Sequence, residues 1–169
     1  MSDRRPSAKR VLVSGASSGI GKATAIRFAQ EGRDVCLTAC REQEMLAIVA
    51  GLPAGDHLIC PGDYSLPATA ESIDAAIREH WGRLDVLVNC AGVYMGADAV
   101  ASSLEEWRRP FDIMVNGAVH LTRLAVPLMT RGGRIIHITS IHGERAERLS
   151  SSYAMAKAAL NQYCRGLAL

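Results

Sequence analysis

Tyr153 and Lys157 stand four residues apart in SSSYAMAKAAL (150–160), a stretch rich in good helix formers. Four residues are about one helical turn, so the phenol and the ammonium share a face. A free tyrosine ionises near pH 10. To move a proton near pH 7 to 8 it needs that value lowered by roughly two to three units, about 3 to 4 kcal/mol of preference for the phenolate. A lysine ammonium one turn away supplies part of this. The same spacing also describes two ordinary residues on an amphipathic surface, and the pair alone does not separate the two. Ser140 follows the apolar run RIIHIT (134–139). Its hydroxyl can stabilise a substrate oxygen as charge develops there, or simply cap the next turn.

A second feature binds rather than reacts. SGASSGIG (14–21) joins an apolar run to a helical one. Glycine accepts a positive φ and lets a phosphate approach the backbone without meeting a Cβ. The free amides and the dipole of the helix that follows favour an anion. The spacing Gly15, Gly19, Gly21 is not GxGxxG, and a plain turn remains open as a reading.

The elements that must hold these residues alternate along the chain. Strands are expected at 10–15, 34–39, 57–60, 84–89 and 134–139. Helices are expected at 19–31, over Met45 to Val49, over Ile73, Ile77 and Trp81, from a Ser103–Glu106 capping box to about Thr130, and from about Ser152. Gly32 stands where a helix would end. Strand and helix in alternation argue for one α/β domain, a parallel sheet with helices on both faces. The 169 residues suit a single core. A net charge of +2 suggests neither a nucleic-acid partner nor an anionic membrane. The basic leader SDRRPSAKR carries no apolar segment behind it, and no run approaches a membrane span, so a cytoplasmic protein is expected. Cys36, Cys40, Cys60, Cys90 and Cys164 are scattered, without a CxxC pair, and read as free, buried thiols rather than a disulfide or zinc framework. Trp81 and Trp107 read as packing residues.

The order of SGASSGIG, NCAG (89–92), Ser140 and YxxxK (153–157) resembles the short-chain dehydrogenase/reductase family, from about Lys9 to Leu169. The resemblance implies a Rossmann-type doubly wound parallel sheet and hydride transfer between a carbonyl or alcohol substrate and NADP or NAD. It implies that Ser140, Tyr153 and Lys157 are catalytic, with Lys157 also holding the nicotinamide ribose. Asn116, in MVNGAVHL, resembles the family asparagine whose main chain holds a water linking the lysine to solvent. The dinucleotide would lie along Ser14, Gly15, Ser17, Ser18, Gly19, Ile20 and Gly21. Further contacts would come from Asp63 and Tyr64 near the adenine, and from Asn89, Ala91 and Gly92 at the fourth strand. Tyr94, Met95 and His142 fall on the substrate side. No acid stands near Ala39 to grip a ribose 2′-hydroxyl, while Arg41 can approach a 2′-phosphate, so NADP is expected over NAD.

Family members run on through two more strands, a Pro-Gly turn and a mobile substrate loop. The resemblance therefore covers the N-terminal part of the family fold, and two readings follow: an oxidoreductase, or a dinucleotide-binding module without turnover. With RIIHIT as an unprotected edge strand, residues 1 to 169 alone are expected to associate, to bind dinucleotide weakly and to reduce carbonyls poorly. Homo-dimers or tetramers through the last two long helices are expected, as in the family.

Overall fold

The computed structural model describes residues 8–96, 98–145 and 147–169; most of the basic leader lies outside them. Five strands form one sheet: β1 (Arg10–Ser14), β2 (Asp34–Ala39), β3 (Leu58–Pro61), β4 (Leu84–Asn89) and β5 (Met129–His137). Their order is β3-β2-β1-β4-β5, with every neighbouring pair parallel. The chain winds outward from β1 to β3 and then returns to β4 on the other side. That reversal leaves a crevice at the C-terminal ends of β1 and β4, where doubly wound sheets take their ligands.

Successive residues of a strand face opposite sides of the sheet, and here both sides are covered. Val11, Val13, Val35 and Leu37 pack under α1 (Gly19–Gln30) and α2 (Glu42–Ala50), against Ala25, Ala29, Met45 and Ile48. Leu12, Cys36 and Leu87 face the other way, onto Ile73 and Ile77 of α3 (Pro67–His80) and Leu121 of α5 (Gly117–Ala125). Burying a Val, Leu or Ile side chain contributes about 1.5–3 kcal/mol, so these two cores supply most of the drive for the layered fold.

The long helix expected to reach Thr130 differs. It opens as α4 (Leu104–Phe111), with both bonds of the Ser103–Glu106 capping box formed. A π-helical turn (Asp112–Asn116) follows, then α5, then a 3₁₀ turn (Val126–Leu128), and the chain enters β5 at Met129. Pro127 sits in that last turn. It has no amide to donate and restricts the residue before it, so the helix closes ahead of Thr130. The entry to β5 is irregular: Met129 pairs with Leu84, and the next partner, Arg134, meets Val86. The last helix, α6 (Ser151–Leu167), buries Ser152, Ala156, Lys157 and Leu160 and packs on α4 and the π turn. All five cysteines are free; Cys36 and Cys60 are buried as expected, but Cys40 is exposed and Cys90 and Cys164 are half-buried.

Candidate functional site

β1 hands over to α1 across the glycine turn. Gly15 has φ +65°, and a Cβ there would lie 2.8 Å from the Ala91 Cα, so the turn leaving β1 is pressed against the turn leaving β4. Ser14 ties the two together: its Oγ accepts from the amides of Cys90 at 3.1 Å and Ala91 at 3.4 Å. Its hydroxyl is thus committed inside the protein, 1% exposed, and does not stand in the cleft wall. Gly19, at φ +52°, faces open space, with nothing beyond its own turn within 4 Å of where its Cβ would be. Ser18 precedes α1 without a side-chain cap, and no acid stands in the first turn. The leading amides of α1 therefore lack a side-chain acceptor and present the positive end of the helix.

A cleft of about 480 Å³ runs from this turn across the C-terminal ends of the strands. Gly15, Ser17, Ser18, Gly19, Ile20 and Gly21 form its floor. Ala39, Cys40 and Arg41 close the side at the end of β2. The Arg41 guanidinium donates to Ser17 Oγ at 3.1 Å and lies 3.7 Å from the Glu44 carboxylate. Asp63 and Tyr64 follow β3. Burial works against the Asp63 charge, but donors from Ser65 and Arg109 outweigh it and hold the carboxyl below its ordinary range. Tyr64 is 6% exposed, and burial, with nearby negative charge, pushes its phenol well above the usual value. It serves mainly as packing, with an edge on the cleft.

The far end is built by Ala91, Gly92, Ile138, Thr139, Tyr153 and Lys157. Lys157 is 3% exposed, which excludes a solvent-facing surface pair. Its Nζ donates to the Ile138 carbonyl at 2.6 Å and lies 5.7 Å from the Tyr153 ring centroid. Burial pushes the Lys157 ammonium down, while the Cys90 thiol beside it acts the other way. The Tyr153 ring meets Tyr94 at 5.3 Å and His142 at 5.8 Å, both edge-to-face. His142 Nε2 in turn contacts the Glu147 carboxylate at 3.1 Å.

Met95 and His142, expected on the substrate side, do not line this cleft, nor do three residues expected to be catalytic or to hold the cofactor. Asn89 is buried beneath it, with Nδ2 3.2 Å from His137 Nδ1 and, among the described residues, no partner at Oδ1. Ser140 caps the short turn Ile141–Gly143, its Oγ accepting from the His142 amide at 3.2 Å. Asn116 is exposed, its amide donating to Asp112 Oδ1 at 3.0 Å. Met114, two residues earlier, is the side chain that turns inward. A Cβ on Gly92 would lie 3.6 Å from the Met114 sulfur and 3.7 Å from Lys157 Nζ. The π turn sets this phase, since the Gly117 amide reaches back five residues to the Asp112 carbonyl. Ile113, of the π turn, and Arg109 line the cleft and were not legible as site residues, because only a non-α turn and a contact 46 residues away bring them here. Among the described residues no cluster of His, Cys, Asp and Glu suits a metal, and no helix is long and apolar enough to cross a membrane.

The family model for short chain dehydrogenases matches residues 9–169. Meso-2,3-butanediol dehydrogenase of Serratia marcescens is 32% identical over 162 residues, covering 95% of this chain and 64% of its own length. A short-chain dehydrogenase/reductase from Burkholderia phymatum, solved in complex with NAD, superposes with a TM-score of 0.87 at 26% identity, over 95% of this chain and 59% of that one. The closed form of a serine dehydrogenase complexed with NADP⁺ gives 0.87 at 30% identity, over 94% and 64%. The chain thus spans about three fifths of the length of these relatives. Since the family model matches residues 9–169, nearly the whole chain, the chain belongs to the short-chain dehydrogenase/reductase family.

Proposed function

We propose that the protein binds a nicotinamide dinucleotide along the cleft and interconverts a carbonyl and an alcohol on a small molecule. One observation carries this reading. The uncapped N-terminus of α1 and the Tyr153–Lys157 pair line a single cleft. The residues fit the cofactor end to end. The amides at Gly19 to Gly21 suit its pyrophosphate, Arg41 and Ser17 a 2′-phosphate, Asp63 the adenine amine, and Lys157 the nicotinamide ribose. NADP is therefore the favoured cofactor over NAD, on the strength of Arg41 and the absence of a carboxylate at Ala39.

When bound, the dinucleotide supplies the hydride. Tyr153 gives the proton to the substrate oxygen in reduction and takes it in oxidation. The Lys157 ammonium favours the phenolate, and only one of its three donors is taken up by Ile138. To serve the substrate oxygen, the Ser140 hydroxyl has to turn away from the His142 amide, by a rotation about χ1. In this reading the solvent relay assigned to Asn116 runs through the main chain of the π turn, since its side chain points away. Exposed Leu104 and Met155, on the adjoining α4 and α6, support assembly of copies through those helices.

A second reading, dinucleotide binding without turnover, is favoured by the Ser140 hydroxyl being engaged as a cap. NADPH oxidation with a panel of small ketones and aldehydes, run on wild type and Tyr153→Phe, decides between them. Loss of the phenolic proton is expected to cut turnover by about 10²–10⁴-fold with dinucleotide affinity within a few-fold. Substantial turnover in Tyr153→Phe would falsify the assignment, and binding without any turnover in wild type would support the second reading.

A further inference from the structure

Asp63 has few acceptor sites left to offer a ligand. Its Oδ1 accepts twice, from the Ser65 amide at 3.0 Å and the Ser65 hydroxyl at 2.6 Å. Its Oδ2 accepts from Arg109 Nη2 at 3.0 Å. A carboxylate oxygen takes about two donors, so one site on Oδ2 remains. Arg109 lines the same cleft, from α4.

The segment after β3 is gripped a second time from the same helical rod. A Cβ on Gly117 would lie 2.8 Å from Tyr64 Cδ2, so the Tyr64 ring rests directly on the α5 backbone. His120 Nδ1 lies 3.2 Å from the Tyr64 carbonyl. Arg109 and Gly117 are eight residues apart, and in an uninterrupted α-helix they would diverge by about 80°. The extra residue of the π turn brings them to within roughly 20° of one face. The turn thereby lets α4 hold Asp63 while α5 holds Tyr64.

We propose that Arg109 is a positioning residue for the adenine end of the cofactor. It fixes Asp63 so that the one remaining Oδ2 site accepts from the exocyclic amine of the adenine. The inference rests on dinucleotide binding in this cleft with Asp63 as its adenine contact, and adds the residue that positions that contact. A carboxylate held this way is acceptor-only, so it takes a 6-amino purine and rejects a 6-oxo purine, which presents oxygen to oxygen. The low carboxyl pKa agrees, since Asp63 stays ionised across the neutral range.

The test compares NADPH with its hypoxanthine analogue, in which the amine is replaced by oxygen, by fluorescence titration of wild type, Arg109→Ala and Arg109→Lys. One hydrogen bond to a charged acceptor corresponds to about ten-fold, so wild type is expected to favour NADPH by about that factor. Arg109→Ala should bring the ratio to about one to two, and Arg109→Lys, a charge without the planar fork, to an intermediate value. A merely structural role would weaken both ligands equally and keep the ratio. An unchanged ratio in Arg109→Ala overturns the inference; should that variant not fold, an unchanged ratio in Arg109→Lys does so. Wild type binding both analogues equally overturns the inference while leaving the dinucleotide site standing. Wild type binding neither overturns the proposed function, and the inference with it.

Discussion

Replacing Gly15 and Gly19 separately by alanine should split stability from binding, because the two glycines serve different needs. At Gly15 two costs combine. An L-residue at φ +65° is strained by about 1–2 kcal/mol. The new methyl also meets backbone, 2.8 Å from the Ala91 Cα and 3.0 Å from its nitrogen, and no flexible side chain is there to yield. Overpacking of that kind costs about 1–3 kcal/mol. The stiffer unfolded chain returns about 0.4–1 kcal/mol, leaving a net loss of about 2–4 kcal/mol. For a chain of this size that lowers Tm by about 5–15 °C. At Gly19 the φ of +52° carries similar strain, but the methyl enters open space. Its net loss is about 1 kcal/mol or less, a few degrees. That open space is where a phosphate would lie against the helix amides, so Gly19→Ala should lose dinucleotide binding despite its intact fold. Thermal unfolding with and without NADPH measures both effects. At about a hundred times Kd the ligand adds about 2.7 kcal/mol to wild type, and this increment should vanish in Gly19→Ala. The reasoning fails if Gly15→Ala lies within 1 kcal/mol of wild type, or if Gly19→Ala is the less stable of the two.

Arg41→Ala should weaken NADPH binding by about ten-fold or more and leave NADH nearly unchanged, since only the 2′-phosphate loses a charge-assisted bond; equal or tighter binding of NADH by wild type, in paired fluorescence titrations, would sink the preference. His137, on β5, has its ionisation held down by burial. Below its unfolded value of about 6.5 the unfolded chain takes the proton first, so stability is full above that pH and falls as pH drops toward the depressed folded value. His137→Gln should flatten that slope in urea unfolding at pH 7.5, 6 and 5, and an unaltered slope would show that the acid sensitivity lies elsewhere.

The strands were legible as short apolar runs such as Val11 to Val13, covered on both faces of the sheet. The third helix was legible from its period, since Ile73, Ile77 and Trp81 repeat at one helical stripe. The Ser103–Glu106 box likewise marked the start of α4 within a few residues of chain. The helix beyond it was read too simply. The stretch from Glu105 to Met129, despite Pro110 and Gly117, gives no local sign of where a π turn falls, which is settled by what the rod must fit against, here Tyr64 on one side and α6 on the other. Asn116 stands out through the resemblance, for its main chain; the phase of that turn directs its side chain to Asp112 and sets the Met114 sulfur beside Gly92.

By itself, the sequence determined the parallel α/β layout, the glycine turn and the four-residue spacing of Tyr153 and Lys157, since each depends on residues near one another in the chain. Only the tertiary structure decided which polar groups face the cleft. Ser14 is drawn inward because the Cys90 and Ala91 amides leaving β4 need an acceptor, and a buried polar group left unpaired is costly; Asn89 turns instead to the His137 ring on the neighbouring strand. Asp63 and Arg109, 46 residues apart, become one unit because the chain leaving the edge strand β3 and the helix α4 meet along the cleft. Such a pairing depends on where two distant segments meet, and no local pattern of residues encodes it.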